Sequence, residues 1–220
     1  MLPSVVAEMI AEDVEQQIQR GIEVLRRGGL VAFPTDTVYG LGANALIDSA
    51  VERVYRVKGR PRHLALPLLL AEVAELARVA RVVPELAWKL AELFLPGGLT
   101  MVLWKAAWVS PVVSGGGDTV AVRIPNHPVP RSLIRGLGSP LTGTSANPFG
   151  KPSPLTAEEV RRYLGTSLDL IIDGGRCPGG IESTVIDLTG ERPRILREGA
   201  VPRRDLEVAC GTGLEVVGGG

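Results

Sequence analysis

The chain has 220 residues, 45% of them hydrophobic, and its 24 cations balance 24 anions. A chain of this size can bury the core of a single domain without a metal or disulfide staple, and zero formal charge argues against generic attraction to nucleic acid or anionic membrane. Cys177 and Cys210 lack CxxC spacing and a histidine cluster, the start carries no signal-peptide pattern, and no apolar run reaches the roughly 18 residues of a membrane helix; a soluble, cytoplasmic protein is expected.

In chain order, Val14, Ile18, Ile22 and Leu25 recur at helical spacing and predict a helix over Asp13 to Arg27, closed by Gly28 and Gly29. Leu30 to Phe33 reads as a buried strand. Asp48 is the expected N-cap of a helix carrying Val51, Val54 and Tyr55, with Lys58 at its C-terminal end. Leu66 to Leu70 is a short strand in which Pro67 implies an edge position or an irregular start. A helix around Pro84 to Phe94 follows, then strands at Leu99 to Trp104 and Thr119 to Ile124, separated by a loop holding Gly115, Gly116 and Gly117.

Thr156 and Glu159 predict a capping box for a helix to Leu164. Leu168 to Ile172, Thr184 to Leu188 and Arg194 to Leu196 complete a set of short strands. Strands and helices interleave without a strict βαβ rhythm, so an α/β fold with a mixed sheet is expected. Residues 1–200 form the predicted domain, and 201–220 a C-terminal tail that frays.

Six segments rich in Gly, Pro and hydroxyl residues join apolar runs to polar turns: FPTDTVYGLG, KGRPR, DTVAVRIPNHP, TGTSANPFGKPSP, ESTVID and ILREG. Loops on a rigid scaffold are where ligands are met. The first sets Thr35, Asp36, Thr37 and Tyr39 directly after a strand, either to fix a polar substrate or to satisfy local backbone groups. KGRPR places Lys58, Arg60 and Arg62 at a helix end, where cations stabilise the helix or clamp a phosphate. In the third, Arg123 interrupts an apolar strand as a carboxylate ligand, or it faces solvent while Val120, Val122 and Ile124 face the core.

The fourth segment offers Thr142, Thr144, Ser145, Asn147 and Ser153, a composition suited to phosphate oxygens or simply to turns. Ser183 opens one strand and Arg197 closes another. Glu182 and Asp187 read as solvated strand-end carboxylates, with general bases or a metal partner as the alternative, and His63 and His127 as structural. Walker A, dinucleotide-fingerprint, HExxH and GxSxG patterns are absent. Cations, hydroxyls and amides with little acid–base machinery suit an anionic, phosphate-bearing substrate.

In order and spacing, these six segments resemble the YrdC-like threonylcarbamoyl-AMP synthase family from about Leu30 to Ala200. The resemblance implies a twisted mixed sheet flanked by helices around a deep cationic cavity, in a short, single-domain bacterial type. It implies synthesis of threonylcarbamoyl-adenylate and pyrophosphate from L-threonine, bicarbonate (or CO2) and ATP with Mg2+. A separate transferase complex would then build N6-threonylcarbamoyladenosine at position 37 of tRNA. Carried over by position, Thr35, Tyr39, Arg123 and Ser183 contact threonine. Lys58, Arg60, Arg62, Thr119, Ser145, Asn147, Ser153 and Arg197 surround ATP, with Lys58 and Arg60 as the catalytic pair; in KGRPR read by itself, Lys58 is a mobile point charge and Arg60 and Arg62 are directional forks. The chain departs from the family pattern at Leu64, Ala65 and Leu66, where an Asn-Pro-Leu run is usual, and at Leu69, where some relatives carry histidine. The competing reading is a module for double-stranded RNA, tRNA or ribosome assembly, which zero net charge and few aromatics disfavour. A carbamoyl-adenylate enzyme of hydrogenase maturation would need Cys clusters that this sequence lacks.

Overall fold

A computed structural model describes residues 3–217, with side chains from residue 14 onward. The first helix, α1 (Pro3–Arg26), begins ten residues before the predicted start. Gly28 then takes a left-handed φ of 76°, which turns the chain into β1 (Val31–Phe33). The strand β2 (Gly40–Gly42) returns antiparallel to β1, with Ala32 opposite Leu41. Helix α2 (Asp48–Lys58) has Ile47 at its cap with no side-chain bond, so Asp48 is the first helical residue rather than the cap. Its end is set by Gly59, whose φ of 61° and N–H bonds to Arg56 and Tyr55 carbonyls close the last turn.

Next come β3 (Leu68–Leu69), the short α3 (Leu76–Val79), α4 (Glu85–Phe94) and β4 (Leu99–Trp104). The predicted glycine loop contains one helical turn, α5 (Pro111–Ser114), before β5 (Thr119–Arg123). Helix α6 (Pro128–Leu137) is capped by His127, whose ring accepts the Val129 N–H. Then follow β6 (Leu141–Thr142), β7 (Thr144–Ser145), α7 (Ala157–Leu164), β8 (Leu170–Ile171), β9 (Thr184–Asp187) and β10 (Arg194–Arg197). At the start of α7 the Thr156 hydroxyl accepts the Glu159 N–H, while the Glu159 carboxylate takes the Leu155 N–H, one residue short of a reciprocal box.

The single mixed sheet of the prediction is two mixed sheets. One runs β7-β2-β1-β8. The other ends in β11 (Glu215–Val216) and runs β11-β10-β9-β4-β5-β3-β6. In the larger sheet β3 lies between β5 and β6, so Pro67 marks an irregular start and not an edge. The Leu66 N–H leaves the ladder for the Val113 carbonyl, which limits β3 to two residues.

Strand alternation divides the core. Val31 and Phe33 pack with Ile18, Ile22 and Leu25 of α1 and Leu133 and Ile134 of α6. Leu30 and Ala32 join the larger core, with Met101 of β4, Val122 of β5 and Ile186 of β9. The segment expected to fray is part of that core. Helix α8 (Arg203–Cys210) buries Leu206 and Ala209, Leu214 is 2% exposed, and β11 pairs parallel with β10. Residues 218–220 of the predicted tail lie outside the described residues.

Candidate active site

A cavity of about 390 Å³ opens between the two sheets' ends, and all six segments meet in it. Lys58, Arg60, Arg123, Lys151 and Arg197 line it, against one carboxylate, Glu182. That excess of positive charge in a concave, partly desolvated wall favours an anionic ligand.

One wall is built by the turn after β1. The Thr35 hydroxyl donates to the Val38 carbonyl (2.7 Å) and accepts the Thr37 N–H (3.0 Å), a local turn that holds Thr35 at the cavity. Since Thr35 spends its proton on Val38, Thr37 donates across the 3.0 Å contact between the two hydroxyls. Thr37 in turn accepts from Arg123 (2.9 Å). Arg123 is 8% exposed, so its place on β5 is neither solvent nor apolar core. Its other bonds go to the Gly97 carbonyl (2.9 Å) and to Asp36 (2.6 Å), which also accepts the Asn126 N–H. Burial pulls the Arg123 pKa down and the Asp36 charge opposes that pull. The guanidinium stays charged and keeps unused N–H donors.

A second wall comes from the end of α2 and the loop after β7. Lys58 is 3% exposed and donates to the carbonyls of Ser145 and Asn147 and to the Asn147 side chain. The Phe149 N–H returns a bond to the Lys58 carbonyl (2.7 Å), so helix end and loop clasp each other. Lys58 is therefore a fixed charge and not the mobile one predicted. Burial first, and Arg60 second, lower its pKa to about 8. Arg60 donates to the carbonyls of Leu64 and Ala65, and the Phe149 ring lies 5.9 Å from its guanidinium carbon. The departure at Leu64 to Leu66 thus leaves Arg60 anchored, because backbone oxygens do the anchoring. Leu69 lines the floor, packed where a side chain on Gly143 would stand.

The third wall is the start of β9 against the end of β10. A bulge between Ile195 and Arg197 re-aims the arginine toward Ser183. Arg197 donates to the Ser183 carbonyl (2.8 Å) and hydroxyl (3.2 Å) and pairs with Glu182. Ser183 also shares a 2.8 Å bond with Thr100. The ILREG segment needs its glycine here: a Cβ on Gly199 would stand 2.3 Å from the Glu182 carbonyl oxygen. Ser153 reaches the cavity only through its bond to Glu182. Burial pushes the Glu182 carboxyl up, but Ser153, Arg197, Ser145 and Lys58 together outweigh it and leave the pKa below the ordinary value.

Three predicted site residues are elsewhere. Tyr39 is fully buried in the larger core and donates to the Gly175 carbonyl (2.8 Å); Val38 and Gly40 on either side face the cavity, so alternation carries Tyr39 away from it. Arg62 turns outward to an ion pair with Glu52. Thr119 pairs with Trp104 at the far end of β5, four residues and roughly 13 Å of strand from Arg123. Asp187 is not solvated either, being 6% exposed and paired with Arg194 and Thr189. Conversely, Glu182, Thr100, Phe149, Lys151 and Leu69 line the cavity without having been selected. Glu182 carried a signal as the acid directly before Ser183 in ESTVID, and Leu69 as a departure from the family pattern.

Fold and site define a mixed α/β protein with a cavity lined by five cationic side chains and one carboxylate. A family model for the Sua5/YciO/YrdC domain, described as "Telomere recombination", matches residues 23–199. The chain belongs to the Sua5/YciO/YrdC family. It is 45% identical over 203 residues to the threonylcarbamoyl-AMP synthase of Pyrococcus abyssi, covering 92% of this chain and 60% of that protein. The crystal structure of P. abyssi Sua5 complexed with L-threonine is similar with a TM-score of 0.88 at 44% identity, over 91% of this chain and 58% of that one. Escherichia coli YciO is similar with a TM-score of 0.80 at 30% identity, over 87% and 93% of the two chains. The chain thus spans about three fifths of the length of the first relatives it matches.

Proposed function

We propose that the protein is a threonylcarbamoyl-AMP synthase: it joins L-threonine, bicarbonate (or CO2) and ATP into threonylcarbamoyl-adenylate and releases pyrophosphate. The observation that carries this reading is the convergence of Thr35, Arg123 and Ser183 with Lys58, Arg60 and Arg197 in one cavity. A P. abyssi relative that crystallises with L-threonine supports the amino acid as substrate.

The chemistry matches the groups present. The neutral threonine amine adds to CO2 and loses a proton to solvent, an oxygen of the resulting carbamate attacks the α-phosphorus of ATP, and pyrophosphate leaves. Neither partner needs a protein nucleophile. The protein's work is positioning and charge neutralisation. Arg123 takes the threonine carboxylate with its unused N–H donors, beside the hydroxyls of Thr35 and Ser183. Arg60 and Arg197 offset the triphosphate, and Lys58 fixes the Ser145–Asn147 backbone beside it. Enclosure protects a carbamate that would otherwise lose CO2 to water.

Mg2+ belongs to the nucleotide in this reading. Among the described residues no group of three or more His, Cys, Asp or Glu could hold a metal ion, and Glu182 is already engaged by Arg197 and Ser153. No described helix is long and apolar enough to cross a membrane. Transfer of the threonylcarbamoyl group to tRNA, with AMP as the leaving group, would fall to a separate transferase complex.

Pyrophosphate release should require threonine, bicarbonate, ATP and Mg2+ together. Release without bicarbonate, or equal release with alanine in place of threonine, would reject the assignment.

A further inference from the structure

Glu182 is the one acid among the charges lining the cavity; its partners are Arg197, which the proposed function sets against the triphosphate, and Ser153, which the family resemblance sets beside ATP. Ser153 donates to one carboxylate oxygen (2.5 Å) and Arg197 pairs with the other. Ser145 and Lys58 lie close enough to favour the ionised form. A carboxylate with a hydroxyl and a guanidinium on its two oxygens occupies them much as a phosphate group would.

The donor count sharpens this. All three Lys58 protons go to Ser145 and Asn147 oxygens. Arg197 places Nε and Nη2 on Ser183, and Nη1 on Glu182. A guanidinium has five N–H donors, so little of Arg197 is left for a second anion while Glu182 holds it. A phosphate reaching Arg197 and Ser153 must also stand beside a like charge. The backbone of Glu182 cannot yield: its carbonyl accepts the Ala200 N–H (2.8 Å), and Gly199 packs too tightly for even a methyl group. Its side chain can, being 33% exposed.

We propose that Glu182 is a built-in counter-anion, whose carboxylate holds Arg197 and Ser153 in the place of a phosphate, is displaced when polyphosphate enters, and recaptures both groups as pyrophosphate leaves. The inference rests on the nucleotide reading of the cavity. Glu182 acts on the affinity for polyphosphate and on product release, not on the bonds made and broken. Its charge keeps the site from trapping its own product and holds the two walls in register between turnovers.

Sodium pyrophosphate binding, measured by titration calorimetry on the full chain, tests this with Glu182→Gln, which keeps the shape and the Ser153 acceptor but removes the charge. The variant should bind pyrophosphate about tenfold tighter or more, the scale of one like charge removed at close range, and should be more strongly inhibited by pyrophosphate during turnover. Glu182→Ala gives a second reading, with thermal unfolding as the check on folding for both variants: formate should lower its pyrophosphate affinity back toward wild type while leaving the wild-type value unchanged. Equal or weaker pyrophosphate binding by folded Glu182→Gln, or no formate effect on Glu182→Ala, overturns the counter-anion role, and measurable wild-type binding then leaves the nucleotide reading standing. Failure of wild type and both variants alike to bind pyrophosphate overturns both.

Discussion

Arg123→Ala is the substitution whose effects on stability and on function can be separated most cleanly. The guanidinium makes three bonds, to Gly97, Thr37 and Asp36, and the ion-pair side chains are 9% and 16% exposed. Truncation leaves the largely buried Asp36 carboxylate, 16% exposed, with only the Asn126 N–H as a hydrogen-bond partner. Breaking a buried pair from one side costs about 3–5 kcal/mol, which lowers Tm by roughly 6–20 °C for a domain of this size. Arg123→Met combined with Asp36→Asn removes both charges at similar volume and keeps an acceptor for Asn126, so it should recover most of that loss. The threonine requirement should behave differently. Both variants lack the carboxylate's partner, and losing a charge-assisted bond raises the half-saturating threonine concentration about 10- to 100-fold. Thermal unfolding and pyrophosphate release at varied threonine read the two effects side by side. A loss under about 1 kcal/mol in Arg123→Ala would refute the buried-pair argument. Restoration of threonine dependence along with stability in the double variant would show that Arg123 serves structure alone.

Lys58 links pH to both stability and binding. Its folded pKa lies at about 8 against an ordinary 10.5. The cost of burying the ammonium is present in full below about pH 8 and disappears as pH rises to 10.5, where the unfolded chain still holds the proton. Wild type should therefore gain stability relative to Lys58→Met across that window in denaturant titrations, while its ATP affinity falls with the loss of one proton. Tyr39→Phe should cost about 1 kcal/mol through the lost bond to Gly175 and leave threonine and ATP dependence unchanged, as steady-state kinetics would show. Leu206→Ala should destabilise the whole protein by about 2–5 kcal/mol in one cooperative transition; a separate low-temperature melt of the C-terminal helix would contradict its place in the core.

Much of the fold is legible in local pattern. The apolar run Leu99 to Trp104, the helix Asp48 to Lys58 and the alternating Val120 and Val122 all stand where their periodicity puts them. The segments that gather at the site are legible too, because Gly, Pro and hydroxyl residues announce strand ends by their own turn chemistry. Direction within a segment is not. Lys58 and Arg62 are four residues apart in one motif, yet one is clasped inside and the other pairs outward with Glu52. Arg123 and Thr119 share a strand and lie at opposite ends of it. The C-terminal stretch, weak in local signal, is held by packing and by the β10 edge.

The sequence by itself determined which chemical groups are present and where the chain turns, since period, glycine φ and turn residues act over a few positions. Tertiary structure decided which of those groups meet, which are buried and what charge state each carries. The bonds that fix Lys58 to Asn147 and Arg123 to Asp36 span 89 and 87 residues. Desolvation and pairing at such separations depend on how two sheets and their helices close on one another, and no local window of sequence contains that information.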